Sequence, residues 1–166
     1  MSEPDARVEG LRTALAELRV GALDRWIPLP PDATKAELEA ALGAIPSSVP
    51  GWLLRQPAEQ VSLPGGPGAP HGITVWFQQE ILTLVEARDV RPTAAVTDLL
   101  GPAPERLESG LGPSLEQWLY PERGLILHLC PGEETARYLY GFEQTELDEL
   151  RRSPLRFVRL ERRPFR

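Results

Sequence analysis

The chain has 166 residues, 42% of them hydrophobic and 25% charged, with a formal net charge of −6; this suffices for one domain with a packed core and excludes wholesale disorder. Its lone cysteine, Cys130, excludes an internal disulfide and a cysteine-built zinc site. No stretch approaches the roughly 18 apolar residues of a membrane span, and the acidic opening Ser2-Glu3-Pro4-Asp5 has neither the apolar run of a secretory signal nor a lipobox cysteine, so the expected compartment is the cytoplasm.

Proline is over-represented at 18 residues and glycine adds 14, which predicts short elements separated by frequent turns. Val8, Leu11, Leu15 and Leu18 recur at helical spacing and predict an amphipathic helix over 5–19, stopped by Gly21. Residues 22–32 read as an ordered linker anchored by Trp26, Ile27 and Leu29. A second helix is predicted over 35–42, with Asp32 or Thr34 as N-cap and Gly43 as its stop. Strands are predicted over 59–63, 72–78 and 81–87, the last two joined as a hairpin around Gln79-Glu80. Between the first two lies Pro64-Gly65-Gly66-Pro67-Gly68-Ala69-Pro70, which is neither helix nor central strand and reads as a stiff, protruding loop.

The order then recurs. A helix is predicted over 93–100, closed by Gly101, and strands over 116–120, 124–130 and 135–142, the last two turning at Pro131-Gly132. A final helix over 146–152 takes Thr145 as N-cap with Asp148 three residues on. Leu155–Arg166 is an edge strand or a tail.

This recurrence is a repeat. With an offset of 58, Lys35–Pro46 lies on Thr93–Pro104, sharing Leu38/Val96, Leu42/Leu100, Gly43/Gly101 and Pro46/Pro104. Glu59-Gln60-Val61 then pairs with Glu116-Gln117-Trp118, and Gly72–Phe77 with Gly124–Leu129. The predicted fold is therefore α+β: a tandem duplicated helix plus three-stranded antiparallel unit, with the helices on one sheet face and an extra N-terminal helix. The expected divisions are an N-terminal helix and linker (1–32), a first repeat (33–89), a second (90–144), and a C-terminal helix with an Arg-rich tail (145–166), the repeats forming one compact domain. Strict alternation of Leu125, Leu127 and Leu129 with Ile126, His128 and Cys130 turns the leucines towards the helices and the other row away.

The run Arg88-Asp89-Val90-Arg91-Pro92-Thr93, then Leu99-Leu100-Gly101-Pro102-Ala103-Pro104, Trp118-Leu119-Tyr120 and Gly124-Leu125-Ile126-Leu127 resembles the SmpA/OmlA outer-membrane-assembly lipoprotein family. It is also similar to the tandem-repeat β-lactamase inhibitor proteins. The resemblance covers about residues 91–142 and, more faintly, 33–88. It implies a scaffold whose open sheet face grips a protein partner. With no export signal in the sequence, the envelope role is not expected to carry over.

Tyr138, Tyr140 and Phe142 alternate along one predicted strand, Trp118 and Tyr120 along another, and Trp76 aligns with His128 in the duplication. If these converge on the open face, they form rigid anchors for a partner, so Trp76, Trp118, Tyr120, His128, Tyr138, Tyr140 and Phe142 are the candidate binding residues. His128 and Cys130 stand two apart in a strand, roughly 7 Å, too far for a nucleophile and its base. No catalytic, cofactor or metal site is assigned.

Charge divides the chain. Residues 151–166 hold seven arginines against Glu161, which is +6 and leaves −12 on residues 1–150. Two readings of the tail stand: it folds back on the acidic body or is simply solvated, or it contacts nucleic acid. The body repels phosphate, so the expectation is a non-enzymatic protein-binding module. An immunity or inhibitor protein steered onto a basic toxin or enzyme fits best; a nucleic-acid adaptor acting through the tail is the alternative.

Overall fold

The computed structural model describes residues 2–133 and 135–157; the arginine tail beyond them lies outside the described residues. Four α-helices, α1 (Glu3–Val20), α2 (Lys35–Leu42), α3 (Val96–Leu100) and α4 (Leu147–Arg152), accompany eight strands among those residues. The strands are β1 (Val49–Leu53), β2 (Gln56–Leu63), β3 (Ile73–Gln78), β4 (Ile81–Val90), β5 (Glu105–Glu108), β6 (Glu116–Tyr120), β7 (Leu125–Leu129) and β8 (Ala136–Gly141). They form one antiparallel sheet in the order β1-β2-β3-β4-β8-β7-β6-β5. Two four-strand meanders thus meet where β4 lies against β8, with Val85 opposite Gly141 and Ala87 opposite Leu139. The fold is α+β.

Local chemistry explains the elements. Ser2 caps α1, its side chain accepting from the Asp5 amide, and Gly21 ends the helix at φ 78°. α2 opens with a reciprocal capping box between Thr34 and Glu37. Glu37 also accepts from Arg7 Nε at 2.8 Å and Nη2 at 3.2 Å, which ties α2 to α1. The β3–β4 hairpin turns at Gln79 and Glu80, both at positive φ, and the β1–β2 hairpin turns likewise at Leu54 and Arg55. Both turns have the backbone handedness that matches strand twist.

Several expectations are corrected. β1 and β5 are strands that periodicity did not reveal: Pro50-Gly51 interrupts one, and Glu105-Arg106 with Glu108 makes the other look like solvated loop. α3 begins three residues later than predicted. In α4 the N-cap is Glu146, with no side-chain bond, because the Thr145 hydroxyl donates to Glu149 instead. The Gly/Pro loop does not protrude. It packs on the end of α1, where the Gly68 amide donates to Arg19 O at 2.8 Å and Arg19 Nε donates to Pro64 O at 3.0 Å. Ala69 in its midst is buried, and the absence of side chains at Gly66, against Arg19, and at Gly68, against Val20 and Gly21, is what allows the approach.

Two apolar cores flank the sheet. On one face Leu11, Leu15 and Leu18 of α1 and Leu38 of α2 meet Val61, Val75, Phe77, Leu125, Leu127, Leu129 and Leu139. On the other, Leu53, Ala58, Trp76, Leu84, Leu119, Ile126 and Tyr140 form a second cluster, joined by Leu150 of α4. The sheet is therefore covered on both sides over much of its width.

Candidate binding surface

The seven candidate residues divide between the faces, because cross-strand partners share a side. Trp118 stands opposite Leu127 and Tyr120 opposite Leu125, so both belong to the helix side, not to the face expected for them. Their alternation within β6 was legible; the side to which it pointed was not. Arg106 lies over the Trp118 ring at 3.9 Å, and the indole Nε1 donates to Glu116 at 2.8 Å. Tyr120 donates to Gly101 O at 3.0 Å, and burial pushes its hydroxyl up to about 12.

On the opposite face, Tyr138 pairs with His128 and Tyr140 with Ile126, and Trp76 pairs with Leu84. Trp76, Tyr140, Phe142 and His128 are all buried, and Tyr138 is half-buried. The Trp76 indole extends over the small residue Ala58 towards Gly51, where an added Cβ would lie 3.1 Å from its Cζ3. Its Nε1 is buried with no hydrogen-bond partner among the described residues.

His128, 1% exposed, anchors a polar network inside this second core. Its Nδ1 lies 2.8 Å from Ser109 Oγ, and its Nε2 lies 3.5 Å from Gln117 Nε2. An amide NH2 only donates, so these partners assign the neutral tautomer with the proton on Nδ1. Desolvation pushes the imidazole down to about 4. Tyr138 and Tyr140 meet the ring edge-on at 6.1 and 5.6 Å. Gln117 in turn accepts from Arg156 Nε at 2.9 Å and donates to Arg156 O at 2.6 Å. The arrangement fastens the 109–115 loop and the C-terminal segment onto the sheet.

Arg156 is thus folded back on the body. Arg151 behaves likewise, with ion pairs to Glu105 and Asp148. These arginines follow the fold-back reading; the tail's remaining arginines past Phe157 lie outside the described residues.

A surface that sequence reasoning missed is the outer edge of β1, which no other strand among the described residues pairs. Val49 is 55% and Trp52 52% exposed, and no charged residue occurs from Ala44 to Leu54. That uncharged stretch, eleven residues long in a chain that is 25% charged, was the available signal. Pro50 stands opposite Glu59 and Trp52 opposite Pro57. Prolines have no N–H for a ladder, so both pairs are the non-hydrogen-bonded kind. The backbone groups of Pro50 and Trp52 consequently face outward, leaving the Trp52 N–H and both carbonyls on the edge. The other outer strand, β5, is charged at Glu105, Arg106 and Glu108 and is tied to α4 through Arg151, two features that blunt an edge.

Among the described residues no group of three or more His, Cys, Asp or Glu side chains is placed to hold a metal ion, and no helix is long and apolar enough to cross a membrane. No family model and no curated protein matches the chain. Among solved structures, the chain is similar to the crystal structure of a DUF4309 family protein (YjgB) from Bacillus subtilis, at 14% identity and a TM-score of 0.42, over 82% of this chain and 97% of that one.

Proposed function

We propose that the chain is a non-enzymatic protein-binding module of the inhibitor or immunity kind, which engages a basic protein in the cytoplasm through its free sheet edge. The observation that carries this reading is the exposure of Val49 and Trp52 on an edge strand without charge. Tryptophan is enriched among residues that dominate binding energy, and an outward strand edge is a ready template for an added strand. The −12 on residues 1–150 would draw a basic partner to the body, and the uncharged edge would then make the contact. The contact surface is thereby moved from the buried face aromatics to β1.

The same reading takes the scaffold as a tandem duplication, each copy having a leading strand, β1 or β5, ahead of the three expected. Several features support it. The strand order mirrors itself about the β4–β8 pair. Gly43 and Gly101 follow α2 and α3 at φ 80° and 77°, and Gly72 and Gly124 precede β3 and β7 at φ 84° and 60°.

The test uses the full chain as bait, followed by calorimetric titration of the purified captured protein against wild type and Trp52→Glu. The reading expects at least about tenfold weaker binding by the variant, the scale of a dominant interface residue. It also expects weakening with salt. Equal affinity of the two proteins rejects it.

A further inference from the structure

We propose that in the free protein the β1 edge is closed by a second copy of the same chain, paired antiparallel across a two-fold axis at Gly51, so that dimerisation and partner binding compete. The inference rests on the reading of β1 as the contact edge. Its first support is charge. A chain of net charge −6 repels itself over most of its surface, but Ala44–Leu54 bears no charge, so two copies meet there without opposing carboxylates.

The second support is register. An axis at Gly51 sets Trp52 opposite Pro50 of the second copy, and Val49 opposite Leu53 of the second copy. Every cross-strand pair is then apolar, and the Trp52 indole lies against a proline ring. In the outward-facing pairs, each Trp52 N–H donates to the Pro50 carbonyl of the other copy, and proline's missing donor removes only the reciprocal bond. At the axis itself the two Gly51 residues carry no side chain to hinder the approach, and the Trp76 ring occupies the space a Cβ would need.

The third support is closure. Because β5 is charged and pinned by Arg151 to Glu105, each copy offers one usable edge among the described residues. Pairing is isologous and stops at two, instead of growing into a fibre. A five-residue strand makes a small interface, so association belongs to the weak class and depends on concentration.

The experiment is sedimentation of the full chain loaded from about 1 μM to about 500 μM, the range in which small interfaces associate, with amide hydrogen exchange at both extremes. A monomer–dimer equilibrium is expected, with Trp52 amide exchange at least about tenfold slower at high loading. Trp52→Glu is expected to stay monomeric, while Trp52→Phe keeps the dimer. A dimer that survives Trp52→Glu, or leaves the Trp52 amide fast, overturns pairing of the two copies through β1. A wild type that is monomeric throughout overturns the second copy alone, and the edge reading stands if a purified partner still loses affinity on Trp52→Glu.

Discussion

His128 and Ser109 are joined at 2.8 Å between ring Nδ1 and hydroxyl Oγ, inside a core cluster on the sheet face opposite α1. Desolvation holds the folded imidazole at about 4, against 6.5 for a free histidine. A lowered folded value means the unfolded chain binds the proton first. Stability from the neutral ring is therefore complete above about pH 6.5 and is lost as pH falls towards about 4. Denaturant titration is expected to register about 2 kcal/mol of loss between about pH 7 and pH 5. In His128→Asn that slope largely disappears; an equally steep profile in the variant would refute the assignment.

Gly141 leaves the space that Trp26 fills. A Cβ there would lie 2.6 Å from Trp26 Cζ2, while the indole is held by its Nε1 bond to Arg123 O at 2.9 Å. Gly141 is also paired on both sides, with Val85 and with Leu125, so the strand cannot easily shift. Gly141→Ala is expected to cost about 2–3 kcal/mol, the scale of overpacking a core. Adding Trp26→Leu is expected to restore part of that loss, which a double-mutant cycle by thermal unfolding measures.

Glu37 serves the α2 cap and the Arg7 pair together. The Arg7 hydrogen bond is the main reason its carboxyl titrates below the usual glutamate range. Its contribution is present at neutral pH and is lost as acid protonates it. Glu37→Gln keeps the cap geometry and is expected to cost about 0.5 kcal/mol; Glu37→Ala loses both roles and about 1–2 kcal/mol. Equal losses in the two variants would mean that the Arg7 pair contributes nothing beyond the cap.

Trp52 and Trp76 separate contact from core. Trp76→Ala empties a site against Ala58 and Gly51 and is expected to cost about 3–5 kcal/mol. Trp52→Glu, on the exposed edge, is expected to leave the unfolding midpoint within about 0.5 kcal/mol of wild type. A strongly destabilised Trp52→Glu would make Trp52 a structural residue.

Much of the fold was legible where one local rule acted alone. α1 and α2 appeared in the spacing of leucines with Thr34 and Gly21 as caps, and β6 in Glu116–Tyr120. β1 and β5 were not legible, since each has one solvent-facing edge and so keeps the proline or charges that interior strands exclude. The aromatic site was misread for a related reason. Alternation groups Trp118 with Tyr120 and Tyr138 with Tyr140, but it does not say which group faces α1, nor that Leu150 and Gln117–Arg156 cover the other side.

The sequence by itself determined the periods of α1 and α2, the Thr34 cap, the Gly21 stop and the Gln79-Glu80 turn, the absence of an internal disulfide, and the split between an acidic body and a basic end, because these depend on neighbours along the chain. Only the tertiary structure decided the β4–β8 junction, the two-sided core, the buried neutral His128, and the exposure of Trp52 beside the burial of Trp76. Those depend on long-range register, and a strand's own side-chain order is the same whichever face its neighbours cover.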